Sequence, residues 1–124
     1  MTGQFSFDRL DHVQLAVPEG AEEACRAFWG GVLGLPEVPK PQSMLVRGGC
    51  WFDGPGFQIH LGVEADFRPA LKAHPAFQIR GIRTLADRLI AAGHPVTWSD
   101  DVPGQDRFHT ADPFGNRLEF LEIR

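Results

Sequence analysis

The chain has 124 residues, 43% of them hydrophobic, and a formal net charge of −4, which fits one compact domain able to hide about two-thirds of its unfolded surface. Lys and Arg are scattered singly with no basic stripe, which argues against nucleic acid as a partner. No apolar run approaches the ~20 residues that span a bilayer and no leader pattern opens the chain, while Cys25 and Cys50 form no CxxC pair and read as reduced thiols in a cytoplasmic protein.

In chain order, LDHVQLAV (10–17) alternates as a strand does, and AEEACRAFWGGV (21–32) follows with a helical period. That helix places Ala21, Ala24, Cys25, Phe28 and Val32 on one stripe and Glu22 and Glu23 in its first turn, where the helix dipole favours acids. GLPEV (34–38) comes next, then a hairpin over GCWFDGPGFQIHLGV (49–63) with Gly and Pro at its turn. A short link, EADFRPALKA (64–73), is expected to carry a helical turn.

The same order then repeats. HPAFQIR (74–80) reads as a strand and IRTLADRLIAAG (82–93) as a helix with Ile82, Leu85, Ala86 and Leu89 on its stripe, Gly93 standing where a C-terminal glycine belongs. GHPV (93–96) echoes GLPEV, and RFHTADPFGNRLEFLEI (107–123) closes the chain as a second hairpin. The leading histidines, His12 and His74, are 62 residues apart, half the chain. The sequence is therefore read as two modules of one domain, about 8–63 and 74–124, joined by 64–73; neither could bury its sheet face and helix alone.

Period-two parity assigns the faces. Val13, Leu15 and Val17 alternate with His12, Gln14 and Ala16, and Phe57, Ile59 and Leu61 alternate with Gln58 and His60. The apolar face must cover the helix, which leaves His12 and His60 on the other side. In the second half the same parity places His74, Gln78 and Glu119 away from the helix. If both sheets curl toward a shared cleft, three imidazoles and a carboxylate point into it. That donor set suits one divalent ion, Zn²⁺, Ni²⁺, Fe²⁺ or Mn²⁺, with a position left open for water or substrate.

Each residue alone also has a plainer reading. His12 fits a half-buried strand histidine, His74 an extended residue before Pro75, His60 a solvated side chain, and Glu119 a partner for Arg117 or for an arginine across the sheet. Gln14, Gln58 and Gln78 share the ligand faces and are candidates to orient ligands or bind substrate oxygens. Trp51 and Phe108 are candidates for an apolar wall, and His109 for a substrate contact or general base.

LDHVQLAV, the helix end AFWGGVLGL before a proline, and above all DPFGNRLEFLE resemble the vicinal oxygen chelate superfamily, which includes glyoxalase I, extradiol dioxygenases and bleomycin-resistance proteins. The resemblance implies an α+β fold of two βαβββ modules forming a curled mixed β-sheet with a U-shaped cleft. It also implies a homodimer and a divalent metal chelating vicinal oxygens of a small-molecule substrate, with His12, His60, His74 and Glu119 on the ligand positions and Glu119 and His60 as the groups that move protons. The function expected is glyoxalase-like lyase or isomerase, or dioxygenase-like, chemistry. The other expectation is a metal-free drug-binding protein of the bleomycin-resistance type. Glyoxalase I-like proteins usually carry a carboxylate where His60 stands, the chain has no tyrosine, and no cluster of Arg and Lys suggests a phosphonate substrate.

Overall fold

The computed structural model describes residues 3–124. The first half runs β1 (His12–Val17), α1 (Glu22–Cys25) continued by a π-helical stretch (Arg26–Val32), β2 (Glu37–Val38), a 3-10 segment (Gln42–Arg47), β3 (Cys50–Gly54) and β4 (Phe57–Val63). The second runs β5 (Ala76–Gln78), α2 (Ile82–Ala91), β6 (Thr97–Ser99), β7 (Gln105–Ala111) and β8 (Arg117–Ile123). Each half is a four-stranded sheet, β1-β4-β3-β2 and β5-β8-β7-β6, with its first strand parallel to its last and the other pairs antiparallel. This is the repeated βαβββ order of the curled vicinal oxygen chelate fold.

Both helices bury the stripes that their spacing predicts. Ala21, Cys25 and Phe28 are buried in the first, and Ile82, Ala86 and Leu89 in the second. Glu122 accepts a hydrogen bond from the Ile82 N–H at 2.9 Å, satisfying one of the free donors at the start of α2. The first helix departs from its α expectation: Leu33 donates to the Phe28 carbonyl, five residues back, at 2.9 Å. That wider turn accompanies two consecutive buried aromatics, Phe28 and Trp29, followed by two glycines that hold the α conformation poorly. Cys25 and Cys50 are free thiols, both buried.

The helical turn expected in 64–73 does not form; Asp66 takes a left-handed φ of 55° and the segment runs as turn and extended chain. Pro69 has no N–H to close such a turn. Buried residues from both halves belong to one cluster, in which Phe77 meets Phe57 at 5.5 Å and Trp29 at 6.2 Å between ring centroids.

The DPFGN turn contributes more than a reversal of direction. Asp112 and Asn116 are 4% and 2% exposed. The Asp112 carboxylate accepts from the Phe114 and Asn116 backbone N–H groups, each at 2.9 Å. The Asn116 amide donates to Asp112 Oδ2 at 2.9 Å and to the Ala16 carbonyl at 2.8 Å, and its oxygen accepts from Ala70 N–H at 2.9 Å. One side chain therefore ties the closing hairpin to β1 and to the linker. Burial pushes the Asp112 carboxyl above its ordinary range, against the pull of its hydrogen bonds.

Candidate functional site

Glu119 sits in the middle of β8, directly opposite His109 of β7 and beside Ala76 of β5. His74 stands two residues before β5 and reaches the same carboxylate. Glu119 Oε1 lies 3.0 Å from His74 Nε2 and 3.2 Å from His109 Nε2, and Oε2 lies 3.6 Å from Arg107 Nε. One donor atom from each of His74, His109 and Glu119 falls within 4.8 Å of the others, the one such metal-competent group among the described residues.

The hydrogen count at this cluster is informative. His74 Nδ1 lies 2.8 Å from the Lys72 carbonyl, and a carbonyl only accepts, so Nδ1 carries the proton. A neutral His74 then turns an unprotonated Nε2 toward a carboxylate oxygen 3.0 Å away. Two acceptors at that distance require a proton or a cation between them, and the backbone carbonyl behind His74 is the outer contact that orients a metal-binding imidazole. Burial opposes ionisation of Glu119, but the Arg107 charge and, whenever the two rings carry the extra proton, the His74 hydrogen bond and the His109 and His74 charges outweigh it and hold the carboxyl below its ordinary value. Desolvation, then Arg117, lowers the affinity of His109 for a proton, so at neutral pH it is an uncharged imidazole. With a cation in place of that shared proton, the imidazole nitrogens and the ionised carboxylate make a donor set that fits a divalent ion.

His12 and His60 share the corresponding face of the first sheet and lie against each other. Their rings stack at 4.1 Å and 16°, and Trp51 stacks on the far side of His60 at 3.9 Å and 4°. His12 Nδ1 faces Asp11 Oδ2 at 2.9 Å, and His60 Nε2 faces Gln58 Oε1 at 2.9 Å. Since both partners accept, the lone-pair nitrogens of the neutral rings would be His12 Nε2 and His60 Nδ1. Desolvation and the neighbouring His12 lower the proton affinity of His60. The structure thus brings His74 to Glu119 and His12 to His60, and joins His109 to the first pair.

The remaining candidates divide. Gln58 orients His60. Gln14 is exposed and lies over Gly62, where an added Cβ would come within 2.7 Å of its Nε2. Gln78 is exposed and lines an apolar cavity of about 450 Å³ between the two halves, with Val13, Trp29, Phe57, Phe77 and Phe120. Phe108 is wholly buried against Trp98 and Phe120, so it packs the core instead of walling a ligand site. Arg107 was not named among the sequence candidates, although it shares the parity of His109 and Glu119, and it is the arginine across the sheet with which the plainer reading pairs Glu119. His109 was a candidate, but its contact with Glu119 was not foreseen; the hairpin register was the signal for it, because a turn centred on Phe114 sets 109 opposite 119.

Two repeated βαβββ sheets, each with imidazoles on the face away from its helix, define the vicinal oxygen chelate class. A solved structure of a protein assigned to the glyoxalase family, from Bacillus anthracis, is 45% identical, with 98% of this chain and 99% of that one covered and a TM-score of 0.94. The chain belongs to that glyoxalase family, within the vicinal oxygen chelate superfamily. The fold is shared at lower identity with a lactoylglutathione lyase from Agrobacterium tumefaciens (21% identity, 94% and 95% covered, TM-score 0.73). It is shared equally with an antibiotic binding protein from a Streptomyces species (16% identity, 98% and 100% covered, TM-score 0.74). No protein-family model and no curated protein matches the sequence.

Proposed function

We propose that this protein is a divalent-metal-dependent enzyme acting on a small substrate that offers two adjacent oxygens to the ion. The observation that carries the reading is the opposed pair His74 Nε2 and Glu119 Oε1 at 3.0 Å, with the other nitrogen of His74 committed to the Lys72 carbonyl. His74 and Glu119 are the central ligands. His12 and His60 present the remaining nitrogens from the first sheet, and complete the set where that face meets the second, within a chain or across a homodimer. When bound, the ion would serve as a Lewis acid on the substrate oxygens.

The residues of the chain supply the proton chemistry. His60 is held neutral by burial with Nδ1 unprotonated, which suits a general base at neutral pH. Glu119, ionised and hydrogen-bonded, can take up a proton once its contacts rearrange. Trp51 fixes the His60 ring from one side, and Gln14 offers an amide to a substrate oxygen. A second reading, favoured by the 4.8 Å cluster, makes His109 a ligand in place of the first-sheet pair.

Elemental analysis of protein prepared without tag or chelator tests both. Near-stoichiometric Zn, Ni, Fe or Mn that is lost in His74→Gln, Glu119→Gln and His12→Gln, but kept in His109→Gln, supports the first reading. Loss in His109→Gln with retention in His12→Gln and His60→Gln supports the second. A wild type that takes up no metal on reconstitution refutes both and leaves metal-free ligand binding.

A further inference from the structure

Among the described residues, Arg107 is the one guanidinium at the His74–His109–Glu119 cluster within ion-pair distance of its carboxylate. Its side chain is 16% exposed, and its Nε is buried with no hydrogen-bond acceptor. The Glu119 oxygen at 3.6 Å is too far to serve as one. A buried donor without a partner costs free energy, more so on a charged group, and such a donor in a site invites an acceptor from the ligand.

Arg107 also lines a second cavity, of about 360 Å³, with Arg83, Trp98, Asp100, Asp106 and Arg124. The three arginines there differ in their partners. Arg83 lies over the Trp98 ring at 4.7 Å, and Arg124 pairs with Asp106 at 3.4 Å and donates to the Gln105 carbonyl at 3.0 Å. Arg107 has the ion pair with Glu119 at 3.6 Å and no hydrogen bond at its Nε, between this cavity and the metal-competent cluster.

We propose that Arg107 is a specificity-determining anion anchor: the substrate carries a compact oxyanion, a carboxylate or a phosphate-type group, that Arg107 binds beside the oxygens approaching Glu119. The inference rests on the reading of the cluster as the reaction site and narrows its substrates to small acids. Because Arg107 Nε is 3.6 Å from Glu119 Oε2, an oxyanion held by this guanidinium lies beside the cluster. The planar fork of a guanidinium suits an oxyanion better than a lysine ammonium does.

The test uses metal-free protein and follows the arginine Nε–H resonances by NMR during titration with glycolate or inorganic phosphate, against sodium chloride at matched ionic strength. The expected result is a saturable shift of the Arg107 Nε–H with at least one oxyanion. Binding should weaken about tenfold in Arg107→Lys and more in Arg107→Met. Response to glycolate alone assigns a carboxylate, and to phosphate alone a phosphate-type group. A wild type that responds as it does to chloride overturns the proposal, and so does unchanged affinity in a folded Arg107→Met. Metal uptake measured on separately reconstituted portions of the same protein separates the two readings. Anion binding without metal uptake sinks the metal site and keeps the anchor, whereas metal uptake without anion binding does the reverse.

Discussion

Replacing Asn116 by alanine tests whether the DPFGN turn is a structural clamp. The substitution removes three hydrogen bonds and leaves the Ala16 carbonyl, the Ala70 N–H and Asp112 Oδ2 without their partner. At about 1–1.5 kcal/mol for each, the loss is about 3–5 kcal/mol. A chain of this length has about 6–19 kcal/mol of stability, so the variant should fold but be strongly weakened. With an unfolding entropy of about 260 cal/mol/K for a chain of this length, the melting temperature should fall by about 12–19 °C. Calorimetry and circular dichroism read this directly. Asn116→Asp is the internal control. It sets a second carboxyl 2.9 Å from Asp112 Oδ2, which raises the pKa of one member of the pair. A raised folded pKa gives stability that is present at low pH and lost as pH rises, so Asn116→Asp should recover more on acidification than Asn116→Ala, in which Asp112 alone titrates above its ordinary value. A loss below about 1 kcal/mol in Asn116→Ala would refute the clamp.

His60 and His109 both have folded proton affinities depressed by burial, so the unfolded chain takes up protons near pH 6.5 that the folded one does not. Stability should be complete above that pH and fall as pH drops below it, and His60→Gln and His109→Gln should each remove up to about one proton from the slope of a denaturation-versus-pH series. A slope unchanged in both variants contradicts the assignment. Gly49→Ala should prevent folding or cost more than about 3 kcal/mol in urea melts, because φ is +82° and the added Cβ would lie 1.9 Å from the Leu61 carbonyl oxygen. Gly56→Ala has a similar φ of +80° but open space around it, and should cost only about 1 kcal/mol. Equal losses at the two glycines would mean that backbone conformation, not the collision, sets the cost.

What the sequence made legible follows from what a repeating pattern can encode. Period two told which face each strand residue occupies, so His12 with His60, and His74 with Glu119, were assigned to the same sides as the structure shows. Parity says nothing about neighbours along a face. The His109–Glu119 contact needed the hairpin register, which a turn centred on Phe114 fixes, and Arg107 follows two residues before it on the same side. These were within reach of the sequence once the turn was placed. The π-helical turn at Arg26–Val32 and the 3-10 segment at Gln42–Arg47 had no comparable signal, since both answer to packing and not to a period. Asn116 marks the limit most plainly. Local turn chemistry accounts for its place in DPFGN, but its bond to Ala16 spans 100 residues and exists only because the two halves fold against each other. The residues that make the motif recognisable therefore hold the hairpin in position, and the carboxylate that this hairpin carries, Glu119, owes its burial and its two histidine contacts to that placement. If so, Asn116→Ala should loosen the cluster as well as the fold: the Glu119 hydrogen bonds should weaken in the folded variant, and the slope of stability with pH assigned to His109 should shrink. A destabilised variant with that slope intact would separate the clamp from the site.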